Sequence, residues 1–330
     1  MNWLKGLLVL AAVSSGTAEA EEITDVVLVV HGGAGSGRKH VTPDIEKHAR
    51  ADLELALRAG EKVLKQAEGK SLDAVEAAIR VLEDSPWFNA GKGAVFTQEG
   101  RNELDASIMD GRQRAAGAVA SVTILKNPIS AARAVMEKSP HVLLIGRGAE
   151  IFATKQGLEV VDPTYFWTEA RWKQWRTLQQ KTSQKPLDAA HTWGTVGAVA
   201  LDTQGNLAAG TSTGGTPNKQ YGRIGDSPII GAGTFADNQT CGISCTGHGE
   251  FFIRYSVAHE VSSLMKYKNL SLPAAAEDVM QRQLKPIGGE GGLIGLDAKG
   301  NLAISFNCEV MYRGYLKRDG TVKVLLFVEK

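Results

Sequence analysis

Several things are scarce in this chain, and each shortage closes a class of function. Net charge is only +1, from 37 basic and 36 acidic residues, so no charge excess points to nucleic acid or to an anionic membrane face. Cysteine is rare: Cys241, Cys245 and Cys308 are the three in 330 residues. The odd number leaves at least one unpaired within the chain. Cys241 and Cys245 fall on one short strand-like run, pointing the same way and too far apart for easy bridging. The expected role of the cysteines is as small buried hydrophobes, without metal or redox duty. Long apolar runs are missing too. The longest at the N-terminus, Gly6 to Val13, is too short to span a bilayer.

That short run has another reading. Lys5 precedes it, and Ala18-Glu19-Ala20 follows as an A-x-A cleavage site. Residues 1–20 are therefore expected to be a secretory signal, and the mature protein to be exported, to the periplasm in a bacterium.

With 43% hydrophobic and 22% charged residues, the chain has material for one large globular unit or two small ones. The 37 glycines cluster with other small residues in a few blocks, where backbone can approach a ligand closely.

The periodicity predicts a helix capped by Thr42, with Pro43 in its first turn, to about Gln66. A second is expected from a Ser71 cap through Leu82. Ala118 to Leu125 and His141 to Ile145 read as buried strands, and Glu169 to Gln180 as a polar, tryptophan-bearing surface helix. Residues 181–191 lose periodicity and read as a linker that ends just before Thr195. Strand-like runs then crowd together: Val196–Ala200, Leu207–Ser212, Ile229–Phe235 and Gly242–Thr246, and later Leu293–Leu296, Leu302–Phe306 and Val322–Val328. Two hairpins echo each other, Leu201-Asp202-Thr203-Gln204-Gly205-Asn206 and Leu296-Asp297-Ala298-Lys299-Gly300-Asn301. Helices are expected from Glu250 to about Lys266 and after Ser271, with Pro273 in the first turn. Strand runs flanked by helix pairs suggest layered sheets covered by helices.

The most telling stretch is Gly194-Thr195-Val196-Gly197-Ala198-Val199. A threonine hydroxyl is a poor nucleophile unless a base takes its proton. Neither a serine nucleophile elbow nor a His-Glu-x-x-His zinc motif is read beside it. Cutting the chain between Gly194 and Thr195 would create a base on the spot. A free α-amine has a reference pKa of about 7.7–8.0 and would lie within reach of its own hydroxyl. Alone, Thr195 reads as an ordinary β-branched strand residue; the blocks that follow it reverse that reading.

Four blocks follow in order: Thr211-Ser212-Thr213-Gly214-Gly215, Gly222-Arg223-Ile224-Gly225-Asp226-Ser227-Pro228, Gly231-Ala232-Gly233-Thr234-Phe235-Ala236-Asp237, and Ser244-Cys245-Thr246-Gly247-His248-Gly249-Glu250. Thr213, at a strand end, could hydrogen-bond Thr195 or simply cap a turn. Arg223 and Asp226 suit the carboxylate and ammonium of an amino acid, or else form a surface ion pair. Thr246 offers a hydroxyl and Gly247 an N–H near a helix N-terminus, a donor pair for a developing oxyanion. His248 is set aside as general base, because the amine serves. His31-Gly32-Gly33-Ala34-Gly35 lacks the spaced acidic partner of a nucleotide-binding turn.

In these blocks, and from about Val27 to the C-terminus, the chain resembles the plant-type L-asparaginases, or isoaspartyl peptidases, of the N-terminal-nucleophile hydrolases. The resemblance implies a four-layer αββα sandwich of the α+β class, with two antiparallel sheets between helical layers. It implies self-cleavage into an α subunit, 21–194 with a linker at 181–194, and a β subunit, 195–330, which together form one catalytic domain. Catalysis would fall to Thr195, Thr213, Thr246 and Gly247, and substrate binding to Arg223, Asp226, Gly247 and Gly249. No catalytic cofactor is implied. A structural sodium ion would sit on the backbone carbonyls of Leu82, Glu83, Ser85, Phe88, Ala90 and Lys92. The substrate would be a β-aspartyl dipeptide or L-asparagine, and the assembly a dimer of α/β heterodimers. Lys92 and Gln220-Tyr221 depart from the family's usual residues. Two rivals stay open: a glycosylasparagine hydrolase, disfavoured by Gly194 and Gly214-Gly215, and a non-catalytic periplasmic amino-acid-binding protein.

Overall fold

The computed structural model describes residues 23–35, 37–180 and 194–328. The expected signal at 1–20 and nearly all of the linker at 181–194 lie outside them.

Two sheets form. The first has eight strands in the order β12-β11-β1-β5-β6-β2-β3-β4. Its members are β1 (Val26–Gly35), β2 (Leu104–Asp110), β3 (Ala115–Val122), β4 (Leu143–Ile145), β5 (Val196–Leu201), β6 (Leu207–Thr213), β11 (Val310–Lys317) and β12 (Val322–Phe327). The second has four, β10-β9-β8-β7, from β7 (Thr234–Ala236), β8 (Cys241–Gly247), β9 (Gly291–Asp297) and β10 (Leu302–Phe306). All pairings are antiparallel except β3 with β4, which run parallel.

The helices follow the apolar stripes. α1 (Pro43–Leu64) buries Leu53, Ala56 and Leu57, and α2 (Ser71–Asp84) buries Val75, Ala78, Ile79 and Leu82. With α3 (Pro128–Lys138) they cover the outer face of the large sheet. α7 (Val257–Lys268) and α8 (Leu272–Glu277) cover the outer face of the small one. Two cores result, one between α1–α3 and the large sheet, the other between the sheets and beneath α7 and α8. This is the αββα sandwich expected.

Local chemistry explains the agreements and the corrections. Thr42 does cap α1, accepting from the Ile45 amide, a cap typically worth about 1 kcal/mol. Ser71 is not a cap but the first helical residue: its amide is taken by the Asp202 carboxylate, from the β5–β6 hairpin. The expected Glu250–Lys266 helix is two, α6 (Gly249–Tyr255) and α7, broken at Ser256 with φ 48°. The strand expected at 229–235 shrinks to β7, because Gly231 to Gly233 are held in turns. β4 is a short edge strand, not a buried one: Leu143 and Ile145 are exposed. β2 and β11 were not expected at all.

Candidate active site

β5 and β6 run side by side at the centre of the large sheet, with Val196 opposite Ser212. Thr195 at the head of β5 and Thr213 at the end of β6 therefore meet. The Thr195 hydroxyl donates to Thr213 Oγ1 at 3.0 Å. Thr213 Oγ1 also accepts the Gly215 amide at 3.0 Å, which fixes that hydroxyl's orientation. Thr213 is buried and Thr195 half-buried, so the nucleophile candidate alone faces solvent.

Glycines let backbone close in. A Cβ on Gly33, φ +110°, would fall 2.5 Å from Gly194 Cα, so the loop after β1 can pack directly on the residue before Thr195. The Gly194 carbonyl accepts the Asn89 amide at 2.8 Å. Asn89 is itself clamped: its side chain donates to the Gly215 carbonyl at 2.6 Å and accepts from the Val95 amide. The peptide bond joining Gly194 and Thr195 is thus held through its carbonyl by a fixed Asn89.

The narrow cleft is lined by Thr195, Thr213, Gly215, Thr216, Arg223, Gly225, Asp226, Ser227 and Gly247, among others. Arg223 and Asp226 share it, as expected. Gly249 explains how they fit: a Cβ there would lie 2.8 Å from an Arg223 nitrogen and 3.0 Å from Asp226 Oδ1. Asp226 is buried, with one carboxylate oxygen lacking a hydrogen-bond partner. Burial pushes its pKa up to about 7, Arg223 pulling back only in part. Such a group gains most from a cation delivered into the cleft.

Arg223 is not paired with Asp226 by hydrogen bonds. Its Nε and one terminal nitrogen donate to the two oxygens of Glu250, at 2.9 and 3.0 Å. Partial burial pushes the Glu250 carboxyl up, but Arg223 more than reverses this and leaves it low. Glu250 aims the guanidinium and was not picked out in the sequence. Nor were Asn89, Thr216 or Lys219. The Lys219 ammonium is fully buried behind Gly215, donating to the Glu103 carbonyl at 3.0 Å and lying 3.8 Å from Asp105.

Thr246 is buried on β8 next to Gly247, and its Oγ1 accepts the Ala34 amide at 3.3 Å; of the two, Gly247 alone lines the cleft. Gly247 has no room for a side chain; a Cβ would meet the Glu290 carbonyl at 2.5 Å. His248 precedes α6 and does not line the cleft. Gly210 to Gly214 does spell the letters of a serine elbow, Gly-Thr-Ser-Thr-Gly. However, Ser212 is buried in mid-strand and gives its hydroxyl to Glu83 at 2.6 Å. No strand-to-helix turn is there.

The 82–92 loop packs its carbonyls tightly. A Cβ on Gly91 would fall 2.2 Å from the Glu83 carbonyl, and one on Gly93 2.0 Å from that of Phe88. The Lys92 ammonium lies over the Tyr165 ring at 5.4 Å. Gln220 to Arg223 closes a tight turn with Tyr221 and Gly222 both at positive φ, and Tyr221 at its tip is 96% exposed. A roomier groove at the other end of β5, near Leu201, holds none of these residues, and its Glu61 is engaged by Arg58 and Lys65. Cys241 and Cys245 are buried and unpaired, and Cys308 is half-buried and unpaired.

Comparison with known proteins gives the same direction over the whole fold. A sequence model of the family described as asparaginase matches residues 24–326. The isoaspartyl peptidase of Escherichia coli is 47% identical over 92% of this chain and 97% of its own. The plant-type L-asparaginase of Pyrococcus abyssi is 44% identical over 88% of this chain and 96% of its own. The isoaspartyl peptidase/L-asparaginase of Bos taurus is 41% identical, over 86% and 91% respectively. With matched sequence from the first strand to the last, and residues of three of the four blocks lining one cleft, the chain belongs to the type 2 asparaginase family.

Proposed function

We propose that this chain is a threonine amidohydrolase that cleaves itself at Gly194–Thr195 and then releases L-aspartate from β-aspartyl dipeptides and L-asparagine. The observation that carries the reading is the Thr195–Thr213 hydroxyl pair, 3.0 Å apart, opening onto a cleft that holds Arg223 and Asp226. In the cut chain the α-amine of Thr195 takes the proton of its own hydroxyl. Oγ1 attacks the side-chain carbonyl carbon of the substrate, whose oxygen becomes an oxyanion. The Thr246 hydroxyl and the Gly247 N–H receive that charge. The C–N bond then breaks, the departing amine taking the proton held on Thr195 nitrogen. A water, deprotonated by the same amine, attacks the resulting ester; aspartate leaves and the hydroxyl is restored. Arg223 holds the α-carboxylate as a fork; Asp226, ionised, holds the α-ammonium beside Gly249. The carbonyls of Leu82, Glu83, Ser85, Phe88, Ala90 and Lys92 would hold a sodium ion that stiffens the loop carrying Asn89.

Residues 1–20 serve as an export signal in this reading, giving a periplasmic or secreted enzyme. Among the described residues no helix is long and apolar enough to cross a membrane. The assembly is a dimer of α/β heterodimers. A glycosylasparagine hydrolase would share the nucleophile and the Arg–Asp pair; side-by-side assay of asparagine, β-aspartyl dipeptides and a glycosylated asparagine separates the two. The decisive test is a denaturing gel with N-terminal sequencing. Two fragments are expected, the smaller beginning at Thr195, while Thr195→Ala stays whole. A single chain in the wild type, as an amino-acid-binding protein would give, sinks the proposal.

A further inference from the structure

His31 lies at the middle of β1, fully buried, opposite Gly197 of β5. Its Nδ1 is 3.0 Å from the Thr195 carbonyl oxygen, and its Nε2 is 2.9 Å from the Ser244 hydroxyl on β8. A carbonyl oxygen only accepts, so Nδ1 carries the hydrogen. Burial pushes the ring's pKa down to about 3, so the imidazole is neutral and Nε2 must accept from Ser244. Behind Ser244 runs a ladder of buried hydroxyls: Thr211 at 2.7 Å, then Thr234 at 2.6 Å, then Ser107 at 2.8 Å. Space for this crossing between the sheets is reserved by Gly197. A Cβ there would fall 2.0 Å from Ser244 Oγ and 2.5 Å from His31 Nε2.

The importance of this bond changes with chain cleavage. A residue in mid-chain is held by peptide bonds on both sides. A new terminus frays unless something ties it down. Cutting before Thr195 converts its amide into an amine that must be free for proton transfer, and releases Gly194 with its hold on Asn89. What remains on the backbone of Thr195 is its carbonyl, and His31 grips it.

We infer that His31 is a positioning residue: by donating from Nδ1 to the Thr195 carbonyl, it holds the catalytic terminus in register with Thr213. This rests on the reaction proposed above. The Thr195 carbonyl, which can only accept, sets the tautomer, and the Ser244 hydroxyl supplies the donor that Nε2 then needs. His31 touches no substrate and takes no proton in the reaction.

Two amide side chains separate its halves. Asparagine places its amide nitrogen near the position of Nδ1, whereas glutamine reaches the position of Nε2. His31→Asn is expected to keep kcat within a few-fold. His31→Gln and His31→Leu should lower kcat by about a hundredfold, the scale of a 1 Å misplacement, with KM for a β-aspartyl dipeptide little changed. A uniform structural loss would move Asn and Gln alike and would not split kcat from KM. Equal activity of the Asn and Gln variants, or wild-type kcat in His31→Leu, would overturn the inference. Should a variant not fold or cleave, the bond is read by NMR of the histidine-labelled Thr195→Ala chain. A non-titrating Nδ1–H tautomer from pH 5 to 8 is expected; an Nε2–H tautomer overturns the inference. A wild type that cleaves and hydrolyses but shows Nε2–H removes the positioning role alone. A wild type that neither cleaves nor hydrolyses removes the reaction, and the role with it, even when Nδ1–H is seen.

Discussion

At the scale of single residues, the cleft concentrates groups that are uncomfortable without a ligand. Asp226 is the clearest. Its pKa, raised to about 7 by burial, means the folded chain holds a proton that the unfolded chain gives up near pH 4. The sign follows: folding stability is undiminished below about pH 4 and declines as the pH climbs through 7. Asp226→Asn removes the titration. Its melting temperature should match the wild type near pH 4 and exceed it increasingly up to pH 8, while β-aspartyl dipeptide binding is lost. Equal melting curves at both pH values would contradict the assigned strain. Substrate capture by the wild type should rise through the same pH range, because only the ionised carboxylate pairs with an ammonium. Arg223 tells the complementary story. Arg223→Ala should weaken substrate binding ten- to a hundredfold, the value of a charge-assisted hydrogen bond, about 1.5–3 kcal/mol. Glu250→Gln, which loosens the guanidinium without removing it, should raise KM by less. Steady-state kinetics on the two variants orders them, and the reverse order would show that Glu250 does more than aim its partner.

At the scale of elements, the two echoing hairpins are a direct test of local coding. In each, an aspartate carboxylate accepts two amides across the turn, Asp202 from Gln204 and Asn206, Asp297 from Lys299 and Asn301. In each, glycine takes the left-handed position, Gly205 at φ 80° and Gly300 at φ 79°. Gly205→Ala or Gly300→Ala should each cost about 1–2 kcal/mol, read by denaturant unfolding. A cost at only one would show that packing, not the turn, sets the preference. Such turns, the Thr42 cap and the regular helical stripes were legible in the sequence because each is decided within a few residues. β2 was missed because Asp105 and Asp110 interrupt its apolar pattern; Asp110 is held locally by Arg112, whereas Asp105 is buried and meets the Ser121 amide and the Lys219 ammonium, both distant in sequence. The break at Ser256 was invisible because serine carries no signal for positive φ. In the site, the motif blocks held most of the residues that line the cleft. They assigned no role to Glu250 and did not include Asn89 or His31, whose roles exist only through contacts across 27 to 213 positions of chain.

At the scale of the whole molecule, the order of strands matters more than any one contact. β1 lies between β11 and β5. Thus a strand from before Thr195 is flanked on both sides by strands from after it, and β2, β3 and β4 extend the sheet beyond β6. The small sheet belongs wholly to the later segment, but the large one cannot close without strands from both. While the chain is continuous, assembling that sheet is a unimolecular event whose rate ignores dilution. Once the bond before Thr195 is cut, the same sheet can be rebuilt only by collision of two separate chains. The native particle should survive cleavage intact, since no strand pairing is lost. After denaturation, however, recovery of the cut protein should slow with dilution, while the uncut Thr195→Ala chain refolds at a constant rate. Refolding yields followed over a range of concentrations would show this difference. Processing thereby turns a reversible fold into one that is best formed once.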